Sequence, residues 1–590
     1  MTGGSTLARQ DLAESSAALA MARTLKAAGV DQVFGQSCPI AFFLAAGRVG
    51  IEQIGYRTEN AGVVMADGFA RRGGRVGVLA AQNGPAASLI VGGLFEALRA
   101  SVPVLAIVQD VVRANTDRNA FQEIDHEALF RPCAKWVRRL TVADRASEYV
   151  IRAIRAATTG RPGPAVLLVP FDVLLEDVGS TEPPGWVTPA LGRYPQDRFT
   201  PARAGIAQAL ETIVNAERPL IVAGGGVHHA GACEALATLQ RVLCVPVATT
   251  YMGKGAIDET DPLSLGVIGY VMGTGSPTAP LKAFVSGADA VVFVGSRTNE
   301  NGTASWSLFG RSARFVQIDV DPEEIGRNYE GQRLLGDARE TLEALLEEAR
   351  ARGLDREHRN ALSFRQQIAR ARVQYLEQIE PVLSDGAAAL RPERLLRELD
   401  RLPGETVWVA DASYSSLWVS QYLTSRRAGA RFLTPRGIGG LGWGVPLAIG
   451  AKLADPASRV IAIVGDGGFA HCWAELEVAR RHRLVVIVVV LNNGVLGYQR
   501  DAEQSRFGDT TAVCEFGPID HVGIARAVGC DGIAVRQVAD IAQALQAALR
   551  ASGPFVIDAY VDPRAFPPVS AFESLKDGDP YGSRTAEWGG

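Results

Sequence analysis

Residues 459–499, RVIAIVGDGGFAHCWAELEVARRHRLVVIVVVLNNGVLGYQ, constrain the fold more than any other stretch of the chain. Two short, continuous apolar runs rich in β-branched residues, 460–464 and 484–491, end at glycine-bearing polar turns, Gly465-Asp466-Gly467-Gly468 and Asn492-Asn493-Gly494. Such runs are too short for buried helices and too continuous for a half-exposed sheet, so both predict central strands of a parallel sheet buried on both faces. Between them, 472–481 has helical spacing, with Trp473, Leu476 and Ala479 on one face. A right-handed crossover carries both strand ends to the same edge of the sheet, where open α/β sheets take their ligands, and so brings Asp466 to Asn493.

One carboxylate, one amide carbonyl and a backbone carbonyl beyond Asn493 form an oxygen donor set suited to Mg2+, which is usually completed by substrate phosphates. Gly467 and Gly468 leave backbone N–H groups bare at a helix start, where a phosphate is favoured. Each turn alone has a plainer reading, Asp466 as a helix cap and Asn492-Asn493-Gly494 as an ordinary turn. The pair at this spacing predicts a metal-bridged diphosphate.

A chain of 590 residues exceeds a single core and predicts three or four domains. Its 60 basic and 64 acidic residues leave a formal charge of −4, which gives no electrostatic case for nucleic acid or an anionic membrane. The seven cysteines form no CxxC pair and are odd in number, which argues against a disulfide framework and a zinc site. The start MTGGSTLARQDLAESS lacks the apolar core of a signal peptide and no apolar run is long enough for a membrane span, so a reduced, cytoplasmic protein is expected.

The expected architecture is α/β, with three doubly wound parallel-sheet domains. The first, residues 1–180, contains strands near 32–34, 76–81, 102–108 and 164–170, with polar turns at Gln36-Ser37 and at Gln82-Asn83-Gly84-Pro85. Glu59 opens the helical run AGVVMADGFARR, where the macrodipole favours an anion. By itself this is a structural cap. Residues 181–202, rich in Pro and Gly, read as a linker. A central α/β domain follows over 203–350; its Gly224-Gly225-Gly226 turn has the composition of a pyrophosphate loop, and His228 and His229 beside it read as loop residues. Residues 351–402 read as a helical connector, 403–563 as the last domain, and 564–590 as a tail that is either a lid or disordered.

GDG followed by NN at this distance resembles the thiamine diphosphate (ThDP) motif. With TENAGVVMADGFAR, AFQE and GGLGWG, the chain resembles the acetolactate synthase-like ThDP enzymes over most of its length. The resemblance implies that Asp466, Asn493 and the carbonyl of Val495 hold Mg2+, and that Gly465, Gly467, Gly468 and Leu496 flank the diphosphate. It implies that Leu441 props the cofactor in a bent shape and that the Gly439 carbonyl accepts from its 4′-amino group. It turns Glu59 from a cap into the catalytic residue, a carboxyl group sharing a proton with N1′ of the aminopyrimidine. Phe121 and Gln122 then face the substrate, with Gln36, Ser37, Asn83 and Tyr498 on the same rim. The first domain becomes pyrimidine-binding and the last diphosphate-binding. Family members hold FAD, ADP or nothing in the central domain, and FAD stays open here. The resemblance further implies a homodimer with intersubunit active sites, able to pair into a homotetramer.

The implied reaction cleaves a C–C bond beside a carbonyl of a small-molecule substrate, as in decarboxylation of a 2-keto acid, and transfers the acyl unit to an acceptor. Two departures bear on the acceptor. Ala502 replaces the tryptophan that shapes the acceptor pocket of biosynthetic acetolactate synthases, and Asn301 stands where an acceptor-binding arginine would be. The segments ENAG, QNGP and FQE also resemble sulfoacetaldehyde acetyltransferase, so another ThDP lyase, hydrolase or acetyltransferase is the alternative. A ThDP-binding protein without turnover is the third reading, against which the intact Glu59 argues.

Overall fold

The computed structural model describes residues 12–384 and 389–575. They form two compact units, one of residues 12–70 and 74–196, the other of residues 71–73 and 197–575. Three six-stranded, wholly parallel sheets bear out the α/β class.

The first unit is built on β1 (Gln32–Gly35), β2 (Glu52–Gly55), β3 (Gly77–Ala81), β4 (Val104–Asp110), β5 (Trp136–Arg139) and β6 (Ala165–Pro170), in the order β2-β1-β3-β4-β6-β5. Leu105, Ile107 and Leu167 are fully buried in its core, as continuous apolar strands of a two-faced parallel sheet require. Strand β5 is missing from the sequence reading because Arg138 and Arg139 interrupt its apolar character at the sheet edge. The predicted linker is not free along its whole length. Val187 and Leu191 sit in the first core, and Val76 N–H donates to the Gly192 carbonyl at 2.8 Å.

The second unit carries two sheets. The central one contains β7 (Pro219–Ala223), β8 (Val247–Thr249), β9 (Ser264–Val267), β10 (Ala290–Val294), β11 (Arg314–Asp319) and β12 (Gln332–Leu335), ordered β12-β11-β10-β7-β8-β9. The last contains β13 (Val407–Ala410), β14 (Phe432–Leu433), β15 (Val460–Gly465), β16 (Val486–Asn492), β17 (Asp531–Val535) and β18 (Phe555–Tyr560), ordered β14-β13-β15-β16-β18-β17. The helix predicted over 472–481 starts earlier, at Asp466–Ala470, and resumes at Leu476–Arg481 after a tight turn. The expected connector contains the long helix Ala361–Ser384, but Leu395, Leu396 and Leu399 beyond it belong to the third core. So do Val569, Phe572 and Leu575 of the expected tail, of which residues 576–590 lie outside the described residues. No helix among the described residues is long and apolar enough to cross a membrane.

The sheets share one organisational rule. Where strand order reverses, the loops leaving two adjacent strands diverge and open a crevice at the carboxyl edge. These points fall between β1 and β3, between β7 and β10, and between β13 and β15. In the central sheet that crevice is closed by glycine packing. Gly224 N–H donates to the Val294 carbonyl and Gly226 N–H to the Gly295 carbonyl, so two of the N–H groups of the triglycine turn are already engaged. A Cβ on Gly224 would lie 2.2 Å from the Gly295 oxygen. Two of the turn's three N–H groups are therefore not free for a pyrophosphate. His228 and His229 are in the short helix Gly225–His229 rather than a loop; His228 Nε2 lies 2.9 Å from the Lys254 carbonyl, and burial pushes its pKa down to about 3.

Gly224→Ala should force this contact apart. Urea unfolding of the variant should show a loss of about 1–3 kcal/mol, the usual range for overpacking, with the dependence on denaturant unchanged.

Candidate active site

The crevice between β13 and β15 is lined by Asp411 and Ser413 from one strand end, Gly465 and Asp466 from the other, and Asn493 beyond β16. Parallel pairing of Gly465 with Leu491 sets the two turns side by side. Asp466 is 6% exposed; its Oδ1 accepts from Gly467 N–H at 2.8 Å and its Oδ2 from Gly494 N–H at 2.6 Å. The latter bond ties the two motif turns directly together. Asn493 Oδ1 accepts from Val495 N–H at 3.3 Å, while Asn492 points elsewhere, its amide donating to the buried Asp558 at 3.1 Å. The second turn is pinned from outside: Phe516 N–H donates to the Gly494 carbonyl and Leu496 N–H to the Cys514 carbonyl.

Gly467, Gly468, Val495, Leu496 and Leu441 line the same pocket. Gly439, at φ +78°, is exposed on the loop leading to Leu441 and stands outside the lining. Tyr498 packs just beyond it, with its ring 5.9 Å from that of Tyr414, a lining residue.

Asp411 was not singled out by the sequence reading. It is fully buried at the end of β13, and its carboxylate accepts from the N–H groups of Ala412, Gly442 and Trp443 at 2.9, 2.9 and 3.1 Å. It thereby anchors the glycine-rich loop that carries Leu441. Gly468 is needed opposite it, because a Cβ there would lie 2.1 Å from Asp411 Oδ2. The one sequence signal was its position, an aspartate directly after a strand, as Asp466 is.

Burial pushes the Asp466 carboxyl up to about 6, against the opposing pull of the Gly467 and Gly494 N–H groups. A buried carboxylate beside an amide oxygen and a backbone carbonyl is a hard-oxygen donor set that a divalent cation satisfies. The residues present fit Mg2+ and a diphosphate.

In the first unit, the crevice between β1 and β3 is edged by Gln36 and Ser37 on one side and Asn83 and Gly84 on the other. Gln36 and Ser37 are exposed, with Ser37 at φ +65°. Asn83 is 5% exposed and donates to the Gln122 carbonyl at 3.3 Å, while the side chains of Gln82 and Gln122 bond at 2.7 Å. Phe121 beside them is 86% exposed. His126, also missed from sequence, is buried beneath this loop: its Nε2 accepts from Gly84 N–H at 3.0 Å and its Nδ1 lies 3.1 Å from Asp110. Glu59 begins the helix Glu59–Gly73, half-buried, and its carboxylate makes no hydrogen bond or ion pair among the described residues.

The Asp466 carboxyl holds its proton more tightly when folded than at the ordinary value of 3.8. Its contribution to stability is therefore intact below about pH 4 and lost as pH rises to about 6. In the metal-free protein, Asp466→Asn should gain about 1–3 kcal/mol relative to wild type between pH 4 and pH 7.5, read by urea melts at both.

Comparison with known proteins agrees with this geometry. Residues 16–129 match the family described as thiamine pyrophosphate enzyme, N-terminal TPP binding domain, residues 206–345 its central domain, and residues 411–559 its C-terminal TPP binding domain. The chain is 31% identical to a probable acetolactate synthase large subunit of Methanococcus aeolicus, covering 92% of each chain. It is 31% identical to an acetolactate synthase of Arthrospira platensis, over 95% of this chain and 97% of the relative. Against the acetolactate synthase isozyme 2 large subunit of Escherichia coli K12 the identity is 29%, over 91% and 94%. The chain is a thiamine diphosphate-dependent enzyme and belongs to the acetolactate synthase-like family.

Proposed function

We propose that the enzyme decarboxylates a 2-keto acid and joins the resulting acyl unit to an acceptor carbonyl, an acetolactate synthase-like carboligation. The observation that carries this reading is the Asp466–Asn493 turn pair, hydrogen-bonded across Gly494 and opening onto the Leu441 pocket. Similarity over nine-tenths of both chains to proteins named acetolactate synthase favours carboligation over the acetyltransferase alternative.

When bound, ThDP supplies a carbon nucleophile and an electron sink for the bond broken beside the donor carbonyl. The protein's own groups position it. Asp466, Asn493 and the Val495 carbonyl hold Mg2+ against the diphosphate, with Gly465, Gly467, Gly468 and Leu496 around it. Leu441, in the pocket lining, would pack against the cofactor, and the Gly439 carbonyl, on the exposed loop before it, would accept from the cofactor's amino group. Glu59 holds a proton at N1′ of the pyrimidine; its carboxylate has no competing partner among the described residues. Gln36, Ser37, Asn83, Phe121, Gln122 and Tyr498 surround the substrate.

On this reading residues 1–180 bind the pyrimidine, residues 403–563 bind the diphosphate, and 203–350 are a central domain whose triglycine turn takes no part, so no step is assigned to FAD. Two copies complete the site, Glu59 of one serving the cofactor held by Asp466 of the other, and dimers pair into tetramers. Seven unpaired cysteines are consistent with a cytoplasmic setting.

The deciding assay loads the protein with ThDP and Mg2+ and offers pyruvate or sulfoacetaldehyde. CO2 release with formation of a condensed hydroxy-keto acid is the expected result; consumption of sulfoacetaldehyde alone would overturn the reading. Glu59→Gln should retain ThDP yet turn over about 10²–10⁴-fold more slowly, the range for a positioned acid–base group. Asp466→Ala should lose Mg2+-dependent ThDP uptake, measured by fluorescence quenching; normal uptake would refute the metal ligand.

A further inference from the structure

Beside the cofactor pocket, the second unit holds a cluster with no role in the mechanism above. Arg436 precedes the glycine-rich loop, and its guanidinium lies 4.6 Å over the ring of Tyr251. Its Nη1 donates to Ser416 Oγ at 3.2 Å, and it makes no ion pair among the described residues. Tyr251 is 6% exposed, yet its hydroxyl has no hydrogen-bond partner among the described residues. Tyr270 stands 6.4 Å from Tyr251, ring to ring, and both pack in one apolar cluster with Tyr414 and Tyr498.

We propose that Arg436 and Tyr251 form a recognition site for the carboxylate of an organic-acid substrate. Four observations converge on it. Buried polar groups in native interiors are nearly always hydrogen-bonded, so the lone Tyr251 hydroxyl marks a donor whose acceptor is a ligand. Burial pushes the Tyr251 and Tyr270 hydroxyls well above the ordinary phenol range, so both keep their protons and donate. The guanidinium beside them lacks a protein carboxylate and is geometrically suited to a carboxylate's two oxygens. The cluster also adjoins the cofactor pocket: Ser416, which Arg436 contacts, shares the helix Tyr414–Tyr422 with the lining residues Tyr414 and Ser415, and Tyr251 packs in the same apolar cluster as Tyr414. One unpaired positive charge matches a monovalent carboxylate rather than a phosphate dianion.

The inference rests on the ThDP reading for its location but not for its chemistry, and the test separates them. ThDP- and Mg2+-loaded protein carrying Glu59→Gln, so that bound pyruvate is consumed only slowly, is titrated calorimetrically with pyruvate, methyl pyruvate and inorganic phosphate. Pyruvate should bind about 10–100-fold more tightly than its neutral ester, the worth of one charge-assisted contact. Adding Arg436→Met should erase that preference and Arg436→Lys should keep part of it. Tyr251→Phe should weaken pyruvate alone. The proposal fails if pyruvate and ester bind alike in the parent, if the preference survives Arg436→Met, or if phosphate binds more tightly than pyruvate. Cofactor content is assayed on the same samples: a protein that takes up no ThDP refutes the reading of the pocket, while the pyruvate–ester comparison, needing no turnover, still decides the carboxylate site.

Discussion

Withdrawal of the Asp466 carboxylate from water is the constraint around which the third sheet's active edge is arranged. Parallel pairing of β15 with β16 brings the two turns into register, and the Asp466–Gly494 bond locks them there. Three backbone N–H groups bond the neighbouring Asp411 and tie it to the loop it orients, although burial still raises its carboxyl. Asp466 accepts from the Gly467 and Gly494 N–H groups, and burial pushes its carboxyl up to about 6. Both buried carboxyls are thus held by backbone donors against a cost of desolvation, Asp411 toward the glycine-rich loop and Asp466 toward the second motif turn.

The three sheets solve the same topological problem in three ways. Each reverses its strand order and so opens a crevice at its carboxyl edge. In the last sheet the crevice stays open and is lined with oxygen donors. In the first it is edged by amides, with the Asn83–Gly84 turn held from beneath by His126. In the central sheet Gly295 packs into it, and two of the three N–H groups of the triglycine turn are taken by the Val294 and Gly295 carbonyls. A glycine run after a strand is therefore ambiguous: bare N–H groups bind anions only when the backbone opposite stays away.

How much of this was legible in the sequence depended on whether a signal was local. Strand runs ending in Asp466 and Asn493 carry their own periodicity and turn chemistry, so the sheet and the meeting of the two turns followed from sequence alone. Asp411 did not, because an aspartate after a strand looks like any cap until the loop it binds, some thirty residues on, is folded over it. His126 sat in a polar segment that resembled a surface loop. The stretch around Val187 and Leu191 read as linker because Pro and Gly dominate it, although two apolar side chains suffice to dock it. The same holds for Phe572, an aromatic in what composition presents as a tail.

That tail segment bears on specificity. Ala502 lies on the helix Gly497–Phe507, and Phe572 packs in the same apolar cluster, 5.3 Å from the Tyr498 ring. Ser505 of that helix donates to the Ala571 carbonyl at 3.2 Å, and the Ser570 N–H donates to the Tyr270 carbonyl at 3.0 Å. The segment thus bridges the site helix and the Tyr251–Tyr270 cluster, fixing one to the other. A wall assembled from four separate segments holds Arg436 and the tyrosine hydroxyls through packing rather than through one loop. Discrimination among acids then rests on a rigid array of donors, and a shift of any one segment is resisted by the other three.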